Sequence, residues 1–347
     1  MRLTAIRREA KAATVRAENE KRFRALAHIS LCTWRRVPYK HGVSELSARS
    51  IDAGTRYCAV YGHPVRHSAS PAMQNAGLAA LGLNWRYLGF DVHPESLPSA
   101  IAGAQAMNFI GLNLTVPHKL LALDIVDALD DSAKLWGSVN TVRFEAQGEQ
   151  GEWKPLGEFA NAPRKVRSRG FNTDAEAVAR ALREDLQFES RGKTVLLLGA
   201  GGAGRTAALK LASAGVAQLF LVNRTQSKAE TVAKEIGRLY PEVMLDLGYP
   251  PGKVDLALNA TSLGLRPDDP LPFAETHFAL HDAAAVFDMI YRPAETPFIK
   301  LAQAAGCRTA NGLGMLLHQG ARALELWTGQ PAPTAIMREA LQKNVYG

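Results

Sequence analysis

At 347 residues the chain is long for one domain and suits two, and its 47% hydrophobic and 21% charged residues can fill ordinary globular cores. The formal net charge of +8 sits in the first 56 residues, which hold 13 Lys/Arg against 5 Asp/Glu, while the other 291 residues hold 28 of each. The body therefore lacks a nucleic-acid binder's basic footprint, no apolar run reaches membrane-span length, and Cys32, Cys58 and Cys307 are too scattered for a metal site; reduced thiols in the cytoplasm are expected.

The Arg- and Ala-rich opening over 1–55 has weak helical periodicity. It reads as a basic extension, disordered or partly helical, or as sequence upstream of the true start. A transit peptide would share its arginines, but Glu9, Glu18 and Glu20 count against one. No function is assigned to it.

From Tyr57 onward short apolar runs alternate with helical periods, the pattern of an α/β fold. YCAVYG is a strand; the loop GHPVRHSAS leads into a helix over 71–81, with Ser70 as N-cap before an N1 proline. WRYLGFDV is a second strand, a helix covers about 96–107, and FIGLNLTV is a third strand. A helix opened by Pro117 is expected to reach about 129, and SVNTVRF returns as a strand. EAQGEQGEWKPLGEFANAPRKVRSRG reads as a hairpin plus a long surface loop, basic toward its end. A helix starts at Asp174, KTVLLLGAGGAGR opens a second βαβ series, and AQLFLVNR, VDLALNA and AAVFDM are its later strands. Two apolar-periodic helices, about 312–328 and 334–343, close the chain.

Gly199, Gly201 and Gly204 occupy G-x-G-x-x-G positions between a six-residue apolar run and an Ala/Leu-rich helix, with Gly202 as an extra small residue. That context marks a dinucleotide site, where backbone approaches a pyrophosphate at a helix N-terminus. An NAD enzyme would normally end the next strand with an acidic residue. This one ends in Asn223-Arg224-Thr225, with Lys228 one turn on, and the two cations suit a 2′-phosphate; the cofactor read here is NADP.

Two further helix starts need explaining. Capping accounts for Ser70 but not for Ser68 beside it, and two hydroxyls at a helix N-terminus make a carboxylate receptor. His63 and His67, in the same turn, are read as structural or exposed. In GLNLTVPHK, Asn113 and Thr115 share one face of a strand that should be buried, and Lys119 follows where a helix's positive end disfavours a cation. Trp85, Trp136, Trp327 and Cys58 are read as packing residues, and no metal is expected.

GHPVRHSASP, GLNLTVPHK, GSVNT, FNTD, GAGGAGR, NRT, NATSLG, DMIYRPAETPF and NGLGMLLHQ, in that order from about residue 57 onward, resemble the shikimate dehydrogenase family, within the shikimate/quinate dehydrogenase superfamily. The resemblance implies reversible NADPH-dependent reduction of 3-dehydroshikimate to shikimate on the route to aromatic amino acids. It implies two α/β domains around a cleft: a substrate-binding domain over 56–173 completed by 310–347, and a Rossmann-type NADP-binding domain over 174–309. By position, Lys119 and Asp174 match the catalytic pair, Ser68, Ser70 and Tyr291 match carboxylate contacts, and Thr115, Asn140 and Gln319 match contacts to substrate hydroxyls. Gly199, Ala200, Gly201, Gly202, Ala203, Gly204 and Arg205, with Asn223, Arg224, Thr225 and Lys228, match cofactor contacts. Thr261, Met289 and Gly312 match residues at the nicotinamide end.

Carbonyl reduction builds negative charge on oxygen, which a positioned ammonium stabilises and then protonates; Lys119 is expected in that role, with Asp174 orienting it. A small-molecule substrate is expected, with neither nucleic acid nor membrane as partner, acting as monomer or homodimer. The chain departs from the family pattern at Gln74, where a histidine usually precedes the asparagine, at Ala175, where a glycine usually follows NTD, and in the length of 140–174, which suggests one added hairpin. The nearest rival is an enzyme of the same superfamily that oxidises quinate, or both acids, with relaxed substrate or NAD use, against which Ser68, Ser70 and Arg224 argue. A glutamyl-tRNA reductase would need a catalytic cysteine, for which Cys32 and Cys58 lack suitable surroundings. A non-catalytic NADP-binding regulator would have no need of Lys119 and Asp174.

Overall fold

Two sheets, each covered by helices, make up the fold described by the computed structural model, which covers residues 51–347 apart from 162, 164 and 267. Nearly all of the basic extension lies outside the described residues. In the first sheet β1 (Arg56–Gly62), β2 (Trp85–Asp91) and β3 (Gly111–Leu114) run parallel in the order β2-β1-β3. Helices α1 (Ser70–Ala80) and α2 (Leu97–Ala106) connect them. After β3 come the single turn α3 (His118–Leu121), β4 (Ala128–Leu129) and α4 (Asp131–Trp136). The direction then reverses: β5 (Thr141–Gln147) lies antiparallel between β3 and β7 (Val166–Phe171), with β4 parallel to β7 at the edge. The short β6 (Trp153–Pro155) forms a hairpin with the far end of β5.

The second sheet is wholly parallel. Its strands β8 (Thr194–Leu198), β9 (Gln218–Val222), β10 (Met244–Leu247), β11 (Leu256–Asn259), β12 (Ala285–Asp288) and β13 (Arg308–Asn311) take the order β10-β9-β8-β11-β12-β13. This is the doubly wound order, whose crevice opens where the winding reverses, between β8 and β11. Helix α5 (Asp174–Leu186) leads in; α6 (Gly202–Ser213), α7 (Gln226–Leu239) and α8 (Pro297–Ala304) are its crossovers. Helix α9 (Leu313–Thr328) leads back, packing against α5, and α10 (Thr334–Tyr346) then lies on α1. No described helix is long and apolar enough to cross a membrane.

Strand periodicity explains the cores. In β1, Cys58 and Val60 face α1 and α9 with Met73, Leu317 and Trp327, while Ala59 and Tyr61 face Leu97, Leu112 and Phe144. In β8, Val195 and Leu197 pack on one side and Leu196 and Leu198 on the other, as expected of a strand covered on both faces. Trp327 fixes the approach of α9 to the first sheet: its indole donates to the Val142 carbonyl at 3.0 Å. A Cβ on Gly111 would lie 2.0 Å from its Nε1, so only glycine allows this contact. Trp85, Trp136 and Cys58 are buried as well.

Three local expectations are corrected. The helix expected from Pro117 to about 129 is one turn, followed by a 3-10 turn over Ala122–Asp124. Asp127 ends it: its carboxylate accepts from Ser168 N (2.7 Å) and Oγ (2.8 Å), its own N–H donates to Ser168 Oγ (2.9 Å), and the chain is drawn out to β4. Ser70 is the first helical residue of α1, not its N-cap, because the chain is already helical at Ala69 (φ −87, ψ −5). The basic end of the long segment after β5 is no loop but β7, paired along β5.

The β5–β6 hairpin lies away from the ends of β1 and β3 that carry the site. Leu156, just after β6, is fully buried, and the Arg56 guanidinium, at the opposite end of β1, donates to the carbonyls of Leu156 (2.8 Å) and Phe159 (3.0 Å).

Candidate active site

The C-terminal ends of β1 and β3 open onto a cavity of about 210 Å³. Ser68 and Ser70 line it from the turn after β1, Asn113, Thr115 and Lys119 from β3 and α3, Asp174 from α5, Tyr291 from the loop after β12, and Gln319 from α9. Thr115 fits there because β1 ends in glycine: a Cβ on Gly62 would come within 2.4 Å of its Cγ2. Since Ser70 lies inside the helix, no capping bond occupies its hydroxyl, while Ser68 Oγ accepts from Ser70 N at 3.3 Å. Burial pushes the Tyr291 phenol up, keeping it protonated as a donor. His67 is exposed at the rim; His63, also exposed, pairs through Nδ1 with Asp91 at 2.6 Å and holds that carboxyl below its usual range.

Lys119 Nζ is 2.6 Å from Asp174 Oδ2, and the other carboxylate oxygen accepts from Asn140 Nδ2 at 2.8 Å. Asp174 opens α5, so the helix N-terminus also favours its negative charge. The side chain of Asp174 is 9% exposed and that of Lys119 32%: the carboxylate is the fixed partner and the ammonium reaches from it into the cavity. Asn140 is itself held, accepting from Thr173 N at 2.8 Å, and Thr173 Oγ1 donates to the Gln319 carbonyl at 3.1 Å. This chain ties the ends of β5 and α5 to α9.

Two buried residues behind the cavity lining, Tyr87 and Thr141, hold Asn113 in place and carry no signal of this role in the sequence. Tyr87, fully buried in β2, donates to Asn113 Oδ1 at 2.7 Å, and Asn113 Nδ2 donates to Thr141 Oγ1 at 3.0 Å. Burial holds the Tyr87 phenol well above its usual range, so it remains a donor. Tyr87 lies 26 residues from Asn113, with no spacing signal linking them; strand pairing alone brings them together.

A second cavity, of about 370 Å³, runs along the ends of β8, β9 and β11, lined by Gly199 and Gly201, by Asn223 to Thr225 with Lys228, and by Ala260 to Leu263. Gly199 has φ +110, a conformation L side chains rarely adopt, and a Cβ on Gly204 would lie 2.0 Å from the Gly199 carbonyl oxygen, so the turn closes only with both glycines. Gly201 and Gly202 have open space where a Cβ would be, leaving room for backbone to meet a pyrophosphate. Asn223 braces the turn by accepting from Ala200 N at 2.9 Å. Arg224 and Lys228 are exposed on the groove, and neither is paired with a described acidic residue. These features fit a dinucleotide bearing a 2′-phosphate. Arg205 is turned elsewhere: its guanidinium is 2.5 Å from both the Trp136 carbonyl and Glu235 Oε1, bracing α6 against α4 and α7.

Ala203 of the glycine turn lines the first cavity, together with Met289 and Gly312, while Thr261 lines the second. One turn therefore borders both cavities. Among the described residues no group of three His, Cys, Asp or Glu side chains could hold a metal ion.

Family models match in three stretches: a shikimate dehydrogenase substrate binding domain over 60–142, shikimate/quinate 5-dehydrogenase over 181–261, and a shikimate 5′-dehydrogenase C-terminal domain over 312–342. The shikimate dehydrogenase (NADP(+)) of Methanopyrus kandleri is 39% identical over 303 residues, covering 85% of this chain and 98% of its own. That of Desulforamulus reducens is 40% identical, covering 85% and 97%. The chain belongs to the shikimate dehydrogenase family. A crystal structure of Thermus thermophilus shikimate 5-dehydrogenase in complex with NADP(H) and shikimate aligns with a TM-score of 0.68 at 35% identity, over 83% of this chain and 99% of that one. Quinate dehydrogenase from Corynebacterium glutamicum, in complex with NAD, shares the fold at 27% identity with a TM-score of 0.70, covering 83% and 99%.

The β5–β6 hairpin falls in the stretch between 142 and 181 that the family models leave unmatched. Gln74 is fully buried and donates to the Gly320 carbonyl at 2.9 Å, joining α1 to α9. Ala175 is fully buried in the core of the second sheet.

Proposed function

We propose that this protein catalyses the reversible NADPH-dependent reduction of 3-dehydroshikimate to shikimate, a step toward aromatic amino acids, with Lys119 and Asp174 as the catalytic pair. The observation that carries the reading is the ammonium of Lys119, held by a nearly buried carboxylate and directed into a cavity that shares the glycine turn with the nucleotide groove. When bound, NADPH supplies the hydride; the remaining tasks fall to this chain. Ser68, Ser70 and Tyr291 bind the substrate carboxylate, and Thr115, Asn140 and Gln319 its hydroxyls.

In reduction, Lys119 stabilises the charge growing on the carbonyl oxygen and delivers a proton from Nζ. In oxidation it takes that proton back. Asp174 fixes the direction of the ammonium, and Asn140 fixes Asp174. Arg224 and Lys228 take the 2′-phosphate, with Gly199 to Gly204 on the pyrophosphate and Thr261, Met289 and Gly312 at the nicotinamide end; Arg205 supports the turn from behind.

The reading assigns 56–173 with 310–347 to the substrate and 174–309 to the cofactor. It takes the protein as a cytoplasmic monomer or homodimer whose partners are small molecules. The test is reduction of NADP and of NAD by the purified protein, with shikimate and quinate side by side. Turnover with shikimate and NADP should dominate, and a clear preference for quinate with NAD would refute the proposal.

A further inference from the structure

The loops after β11 and β12 each border one of the two cavities. Thr261 and Leu263 follow β11 on the nucleotide groove, and Met289 and Tyr291 follow β12 on the substrate cavity. Between them, out of contact with either cavity, is a buried carboxylate that the proposed chemistry does not use. Asp288, the last residue of β12, is fully buried, as are its neighbours Asn259 and Thr296.

Every contact of this carboxylate leads to one of the two loops. Asp288 Oδ1 accepts from Asn259 Nδ2 and from Ile290 N, both at 3.0 Å, and Oδ2 accepts from Thr296 Oγ1 at 2.6 Å. Asn259 passes the connection on: its Oδ1 accepts from Thr261 N at 2.9 Å and Oγ1 at 2.7 Å, and its Nδ2 donates to the Leu263 carbonyl at 3.2 Å. On the other side Thr296 caps α8, accepting from Ile299 N at 3.2 Å. The β11 loop folds back onto the same place. At Gly264, with φ +112, a Cβ would lie 3.3 Å from Thr296 Cβ and 3.4 Å from Ile290 Cδ1.

We infer that Asp288 is a positioning residue, locking the β11 and β12 loops together so that the nucleotide groove and the substrate cavity keep one relative geometry. Burying an ionised carboxylate without a cation partner is costly, and an apolar residue would serve packing alone better. Burial pushes its carboxyl up to about 6, against the three hydrogen bonds that favour the charged form. In its ionised form both oxygens accept, so it can take all three donors at once. An amide in its place could accept at one end only.

The inference rests on reading the two cavities as NADP and substrate sites. The parent protein's own shikimate turnover tests that reading, whereas NADPH binding by the variants, followed by nucleotide fluorescence, needs no turnover. Asp288→Asn and Thr296→Val should each weaken NADPH binding about tenfold and lower kcat/KM for shikimate at least as much, whereas Thr296→Ser, which keeps the hydroxyl, should stay within about twofold of the parent. Should Asp288→Asn fail to fold, the Thr296 pair carries the comparison. Nucleotide affinity and kcat/KM within about twofold of the parent in both Asp288→Asn and Thr296→Val would overturn the inference. So would a lowered melting temperature with undiminished NADPH affinity in the molecules that stay folded, because that pattern marks a purely structural contact.

Discussion

The two sheets build their sites in opposite ways. On the parallel sheet the nucleotide groove comes mainly from three short stretches, Gly199–Gly201, Asn223–Lys228 and Ala260–Leu263, each at the end of one strand. On the mixed sheet the cavity draws Ser68, Thr115 with Lys119, Asp174, Tyr291 and Gln319 from five separate segments, the last three from beyond the sheet itself. A nucleotide's phosphates can be met by backbone and by one helix end, whose geometry is local. A small polyhydroxylated acid must be surrounded, which takes side chains from several directions. The residues of the first kind of site are neighbours in the chain, whereas those of the second are brought together only by the fold.

The contrast can be attacked from either side. Replacing Lys119 with alanine strikes the convergent cavity alone: kcat should fall roughly 10²–10⁴-fold, as expected for loss of a general acid–base group, with NADP affinity by titration unchanged. Full activity in that variant would end its catalytic assignment. Trp327→Ala removes the indole that holds α9 to Val142 and Gly111, and should cost about 3–5 kcal/mol in urea unfolding. Its kinetic loss should appear with the convergent substrate site, as a raised KM for shikimate before any change for NADP. Arg224→Gln strikes the contiguous groove: KM for NADP should rise about 10–100-fold while that for NAD and for shikimate stays level. An equal rise for both nucleotides would remove the 2′-phosphate from its role.

How much the sequence disclosed follows the same divide. The apolar run of β8 and its glycine turn could be read directly, because both faces of that strand are buried and the turn's backbone conformation demands glycine. The edge strands β10 and β13 were not, since each has four residues and little burial to impose a pattern. The sequence LLALDIVDAL has helical periodicity, yet Asp127 is held by Ser168, 41 residues away, and periodicity carries no information about such a partner. The sequence around Ser70 suits a cap; only the backbone at Ala69 shows the hydroxyl free of that task. Lys119 stood out for the opposite reason, as a residue that local rules disfavour at a helix start. Its partner Asp174, 55 residues on, could be matched by position but its 2.6 Å contact could not be read from the chain.

The β5–β6 hairpin has a practical side. Strand residues advance about 3.3 Å each, so Gln147 stands about 20 Å along β5 from Thr141, at the back of the molecule. A fluorescent label or a surface tether attached around Gln150 would be carried clear of the openings through which nucleotide and acid enter, which makes that turn the natural handle for immobilising a working catalyst.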